Sequence, residues 1–179
     1  MQLPLRIKYM EGITCIENFI ENPPGLFALL HREVIWDGRM AARKTASYGK
    51  AYNYSQMEYV HQAFTPVLYN IIRDIEETLH FEPNNCLINF YADGKSTMGF
   101  HSDQTDILEE GTGVAIVSLG ATRILRFRNI EDKTIKEDVP LLSGSLLYMK
   151  NDVQDIWQHA IPKSDVVDGR MSLTFRKIK

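Results

Sequence analysis

Cysteine is scarce in this sequence. The 179 residues contain two, Cys15 and Cys86, far apart and without CxxC spacing. Neither a disulfide scaffold nor a thiolate zinc site is therefore expected, and a reducing compartment is the default. Long apolar runs are missing as well. No stretch approaches the roughly 18–20 residues that a membrane-spanning helix needs, and the opening MQLPLRIKYMEG lacks the apolar core of a secretory signal. A cytoplasmic protein, or a nuclear one in a eukaryotic cell, is the expectation, with no membrane partner.

Positive charge is not in excess. The formal net charge is −3, which speaks against gripping nucleic acid across a broad surface, because each neutralised phosphate needs a Lys or Arg. The distribution is uneven, however. Over residues 31–50, Arg32, Arg39, Arg43, Lys44 and Lys50 stand against Glu33 and Asp37, a local balance of +3. Repeats, low-complexity tracts and linker-like stretches are absent too. The length suits one core, so a single domain over residues 1–179 is expected, and nothing demands more than a monomer.

Helix signals come early. Thr14 could cap a short helix through Ile20, and Asn22-Pro23-Pro24 could start another that ends near Arg32. Residues 37–55, DGRMAARKTASYGKAYNYS, show no clear periodicity and read as a long loop or paired irregular strands, a kind of segment that often carries function. The strongest helix spans 65–80. Thr65 suits the N-cap and Pro66 the first helical position, and Val67, Leu68, Ile71, Ile72, Ile75 and Leu79 form an apolar stripe. Beyond residue 85, short strand-like runs occupy 86–92, 114–119, 122–129, 145–150 and 170–178, punctuated by glycines. Helices first and strands after suggest an α+β layout, with helices packed against a β-sandwich or barrel.

Two patterns carry chemistry. In His101-Ser102-Asp103, an extended chain would point the imidazole and the carboxylate to one side. A second histidine from a distant strand would complete a two-His, one-carboxylate face that leaves positions open on a metal, as in non-haem Fe(II) oxygenases. His159, in IWQHAIP, is the candidate, while His31, His61 and His80 lie in or beside expected helices. By itself such a tripeptide arises often by chance, and a lone histidine beside Trp157 is more often a satisfied core residue. The second pattern is the C-terminal strand. Alternation places Met171, Leu173 and Phe175 on one face and Arg170, Ser172, Thr174 and Arg176 on the other. If the second face is enclosed, its arginines need an anion, and a dicarboxylate such as 2-oxoglutarate would suit them. The alternative is an edge strand with a solvated basic face.

Together the motifs resemble the AlkB family of Fe(II)/2-oxoglutarate dioxygenases. NFY (89–91), HSD (101–103), SLG (118–120), His159 and RMSLTFR (170–176) follow the family's order, and EVIW (33–36), RKTASYG (43–49) and YNYS (52–55) look like the region before its catalytic core. The likeness covers roughly residues 5–179. It implies a double-stranded β-helix, or jelly-roll, core with N-terminal helices on one side and a lid over about 37–55. It further implies that His101, Asp103 and His159 bind Fe(2+). Arg176 would pair with the distal carboxylate of 2-oxoglutarate, helped by Tyr91, with Arg170 and Asn89 near its other end. Ser172 stands where the family usually has asparagine; it can still donate one hydrogen bond to the same cofactor, with a shorter reach.

The activity implied is oxidative. 2-Oxoglutarate and O2 are consumed, succinate and carbon dioxide leave, and an N-methyl group is lost as formaldehyde. Alkylated nucleic acid is the first substrate class. Arg43, Lys44 and Lys50 could meet phosphates, and Tyr48, Tyr52 or Tyr54 could stack on an extruded base. Repair members of the family usually carry acidic residues directly after the tripeptide, whereas Gln104-Thr105 follow here, with Gln104 at the base-reading position. That departure and the negative net charge keep a protein side chain or a small metabolite open as substrate, with a non-catalytic binding module as a third class.

Overall fold

Thirteen strands and three helices organise the computed structural model, in which residues 3–51, 53–54, 57–59 and 61–179 are described, 53 and 54 for their backbone alone. The order is β1 (Leu5–Met10), β2 (Ile13–Glu17), α1 (Pro23–Glu33), β3 (Lys44–Gly49), β4 (Asn53–Tyr54), β5 (Met57–Glu58), α2 (Pro66–Leu79) and β6 (Asn85–Tyr91). Then come β7 (Met98–His101), β8 (Gly113–Gly120), β9 (Arg123–Asn129), β10 (Lys136–Leu141), β11 (Leu146–Lys150), α3 (Val153–Ile156), β12 (Trp157–Ile161) and β13 (Arg170–Arg176). A seven-stranded sheet runs β1-β2-β11-β8-β13-β6-β3 and a four-stranded sheet runs β10-β9-β12-β7, with β4-β5 as a small separate pair.

Period-two alternation on the central strands creates two cores. Met171, Leu173 and Phe175 join Ile88, Val117 and Leu119 beneath the apolar faces of α1 and α2. On the opposite side, Ile116, Leu147 and Met149 meet Leu125, Phe127, Val139, Leu141 and Ile161 of the smaller sheet. The result is three layers, helices over large sheet over small sheet. A buried aromatic of the first core shows how much rests on this packing. Phe175→Ala is expected to cost about 3–5 kcal/mol, read as a lowered urea midpoint in metal-free protein.

The helices follow their sequence signals. Asn22 caps α1 by accepting from the Gly25 N–H at 3.1 Å, with prolines in the first positions. In α2, Leu68, Ile71, Ile72 and Ile75 are buried. Thr65 does occupy the N-cap position, but its hydroxyl makes no capping bond.

Two expectations fail, and one open alternative is decided. Residues 14–20 are not a helix: Ile13–Glu17 is β2, paired with β1 and β11, and its alternating burial sends Ile13 and Cys15 to one core and Ile16 to the other. Strands therefore precede the first helix. Within 37–55, the strand alternative holds over the loop for Lys44–Gly49, which pairs regularly with β6. Tyr52 and Ser55 lie outside the described residues.

Candidate metal and cofactor site

The site begins with a local irregularity. β7 and β12 are antiparallel, with His101 directly opposite His159 and Met98 opposite Ile161. Three steps on β7 thus face two on β12, the signature of a bulge, which re-aims side chains. The extra residue lets both Met98 and His101 turn toward the space between the sheets, beside His159. The two imidazole centroids are 4.3 Å apart. Asp103 follows just beyond the end of β7, buried, and one ligand atom from each of His101, Asp103 and His159 lies within 4.8 Å of the others.

Electrostatics keep His159 and Asp103 in a ligating state. Burial lowers the His159 pKa to about 4, so the ring is neutral near pH 7. Burial pulls the Asp103 carboxyl upward, but the charge of Arg176, with smaller contributions from His159 and His101, holds it at about 2. His101 Nδ1 lies 2.9 Å from the Gly99 carbonyl. A carbonyl only accepts, so Nδ1 carries a proton here and Nε2 is the nitrogen left to face a metal. His159 Nε2 lies 3.5 Å from Asp103 Oδ2, and its Nδ1 is buried without a partner.

A pH dependence follows. From the ordinary histidine value of 6.5 down to about 4, the unfolded chain protonates residue 159 while the folded chain resists, so metal-free protein loses stability as pH falls through that window. Asp103 adds to this lower down. Its contribution is present above the ordinary value of 3.8 and is lost as pH falls toward about 2. Urea midpoints measured from pH 7 to 4.5 are expected to decline, and His159→Asn to flatten the decline.

The two arginines of β13 line the same cavity as the three ligands, together with Asn89, Tyr91, Ser172 and Thr174. The enclosed face foreseen for this strand is present. Arg176, at the strand's end, donates through Nη2 to Asp103 Oδ1 at 2.7 Å. Arg170, at its start, is 1% exposed. Its Nη2 donates to Ser118 Oγ at 3.0 Å, its guanidinium stands 5.3 Å from the Tyr91 ring, and its Nε and Nη1 have no hydrogen-bond partner. Burial lowers its pKa to about 10. Among the described residues no carboxylate pairs with it. A buried cation left in this condition is costly, and an incoming anion would relieve it. The cavity holds about 30 Å³ of free space, room for little more than a water or two.

These positions reverse the order that the resemblance implied for the arginines. Arg176 is at the metal end, bonded to the Asp103 carboxylate, and Arg170 with Tyr91 is remote from it. The cause is the strand itself: the two residues stand at opposite ends of β13, roughly 20 Å apart along the backbone at about 3.3 Å per residue. Asn89 Oδ1 accepts from Arg43 Nε at 2.8 Å, and Ser172 Oγ lies 3.5 Å from Thr174 Oγ1.

The expected substrate residues divide. Tyr48 is a correction: it is 3% exposed and packs in the helix-side core, because alternation on β3 sends it to the face opposite the site. Arg43 is buried and also donates to the Thr97 carbonyl at 3.3 Å, so it forms a wall more than a surface cation. Gln104 is exposed and does not line the cavity. Tyr54 belongs to β4 by its backbone, and its side chain lies outside the described residues. A second cleft, of about 510 Å³, opens beside His101 between Arg39, Met40, Arg43, Met57, Met98 and Phe100. The methionines and Phe100 were not foreseen, since scattered residues on loops and a bulged strand leave no periodic signal. Tyr59 was also missed; its hydroxyl sits 2.6 Å from Thr45 Oγ1.

Comparison with known proteins decides the family. Residues 23–176 match the model of the 2OG-Fe(II) oxygenase superfamily, and mouse DNA oxidative demethylase ALKBH2 is 33% identical over 162 residues, covering 84% of this chain and 68% of that protein. The chain belongs to the AlkB family of 2OG-Fe(II) oxygenases. Mouse alpha-ketoglutarate-dependent dioxygenase alkB homolog 3 is 32% identical to this AlkB-family chain over 169 residues, or 83% of it and 59% of that protein. Human ALKBH2 is 33% identical, with coverage of 84% and 62%. The chain thus spans roughly three fifths of the length of these curated relatives. The solved structure of OsALKBH1 shares its fold, with a TM-score of 0.76 over 97% of this chain and all of that one, at 16% identity. Membership implies Fe(2+) and 2-oxoglutarate as cofactors, with O2 as co-substrate, and the two imidazoles, the carboxylate and the buried Arg170 fit both. No described helix is long and apolar enough to cross a membrane.

Proposed function

We propose that this AlkB-family chain, as one catalytic domain over residues 1–179 acting as a monomer in the cytoplasm or nucleus, oxidatively demethylates N-alkylated bases in DNA or RNA. The jelly-roll description suits its facing sheets, and the lid is taken to lie within about 37–55, outside β3. One observation carries the reading: a ligand trio within 4.8 Å shares a cavity with a buried arginine that lacks an acidic partner. The names of relatives, DNA oxidative demethylase among them, support the substrate class.

His101, Asp103 and His159 would hold the iron. When bound, the metal with 2-oxoglutarate supplies the oxidation, turning O2 and the cosubstrate into succinate and carbon dioxide and an N-methyl group into formaldehyde. The chain's residues supply position and charge. Arg170 receives the remote carboxylate of 2-oxoglutarate, with Tyr91 and Ser118 fixing the guanidinium. Arg176 serves the metal end, where it already holds one oxygen of Asp103. For the cofactor to enter, Arg176 must give up part of the space it fills. Asn89 and Ser172 are polar contacts on the same wall. The apolar walls, Leu87, Ile116, Leu125 and Leu141, exclude water from the reacting centre. The cleft beside His101 takes the base, against Met57, Met98 and Phe100, with Arg43 in its wall and Arg39 toward the nucleotide's phosphates. Tyr54 and Gln104 remain candidates for substrate contact.

The test is formaldehyde release from N-methylated DNA and RNA oligonucleotides, with His101→Ala as control. Release above that control is expected, and its absence across the panel would remove nucleic acid as substrate. One observation favours a second reading, an oxygenase of protein side chains or a metabolite: Tyr48 is buried on the wrong face. Succinate formation with peptide or metabolite pools, and none with nucleic acid, would select it.

A further inference from the structure

We infer that Gln154 is a positioning residue of the metal site: its buried amide pins the backbone of Asp103 to the segment that carries His159. The inference rests on the reading of His101, Asp103 and His159 as metal ligands.

Asp103 lies past the last residue of β7, so no strand ladder satisfies its N–H. Gln154 does. Its Oε1 accepts from the Asp103 N–H at 2.8 Å, in a buried bond between residues 51 apart in sequence. The direction of the amide is set on its other side, where Nε2 faces Met149 Sδ at 3.8 Å. Sulfur is only a weak acceptor, so a flipped amide would set donor against donor at Asp103 and gain nothing at Met149.

Gln154 sits in α3, a single turn that runs without a break into β12 and His159. The Ser102 hydroxyl adds a second link, donating to the Trp157 carbonyl at 3.2 Å. The turn that carries Asp103 is therefore clipped to the segment that carries His159. With Arg176 on Oδ1 and Gln154 on the backbone, Oδ2 is the oxygen left toward His159 Nε2. That arrangement presents Asp103 to a metal through one oxygen. Gln154 is not among the residues lining the cavity, so it acts through Asp103 and touches neither cofactor nor substrate. Groups that orient ligands in this way typically change metal affinity about 10–100-fold when removed.

The experiment is Co(2+) titration of the full chain without 2-oxoglutarate, following the visible spectrum of the bound ion. Gln154→Met keeps the volume and loses the acceptor. Gln154→Asn keeps the amide but draws its oxygen back, and serves if the first variant does not fold. Circular dichroism of the metal-free proteins establishes which are folded. A rise in Co(2+) Kd of about 10–100-fold with a shifted visible spectrum is expected for Gln154→Met, and a smaller rise for Gln154→Asn. Met149→Leu, which removes only the sulfur contact, should bind as wild type. An unchanged Kd in a folded Gln154 variant, even one with a lowered melting temperature, overturns the inference. Wild-type protein that binds no Co(2+) would overturn the ligand assignment itself.

Discussion

Replacing His101 with alanine is expected to lower turnover by about 10³-fold or more, equivalent to about 4 kcal/mol or more of transition-state stabilisation, while the protein stays folded. His101 is only partly buried, and a domain with two apolar cores of its own does not depend on an open metal site. Asp103→Ala should be equally inactive but for a mixed reason. It strips Arg176 of its 2.7 Å acidic partner, and breaking a buried pair by removing one member costs about 3–5 kcal/mol. Turnover and urea midpoints measured on both variants separate the cases. The expected result is inactivity with a near-native midpoint for His101→Ala and inactivity with a lowered midpoint for Asp103→Ala.

The second large effect carries the opposite sign in its two readouts. Arg170→Met should weaken 2-oxoglutarate binding by about 10–100-fold, since a charge-assisted hydrogen bond contributes about 1.5–3 kcal/mol and each 1.4 kcal/mol is tenfold. The same substitution should leave metal-free protein as stable as wild type or more so. In the absence of cofactor, Arg170 is a buried cation with two nitrogens unpartnered, and apolar replacement of such groups is often neutral or stabilising. A residue kept for the fold would lose stability and affinity together. Arg176→Met provides the contrast, because it leaves Asp103 without its ion pair and should destabilise the metal-free protein.

Much of this was readable in the chain because it rested on alternation. In RMSLTFR the separation of Met171, Leu173 and Phe175 from Arg170 and Arg176 needs only the pleat of a strand, and both faces proved to be covered. The stripe of α2 was equally plain. What failed was context. Ile13–Glu17 has too few residues to tell strand from helix, and its pairing with β11 depends on a partner more than a hundred residues away. Tyr48 looked like a loop aromatic, but β3 is a regular strand and alternation turned it inward. The order of the two arginines depended on which end of β13 lies beside β7, a tertiary fact. The bulge at β7 and the Gln154 bond also join distant segments, so no local pattern announces them.

Anaerobic titration of the Fe(2+)-loaded protein with 2-oxoglutarate, read as a visible charge-transfer band, tests the shared cavity most directly. The account predicts a saturable band in wild type, none in His159→Ala, and a band that needs about 10–100-fold more cofactor in Arg170→Met. A wild-type protein without the band, or an Arg170→Met variant that saturates at the wild-type concentration, would contradict it.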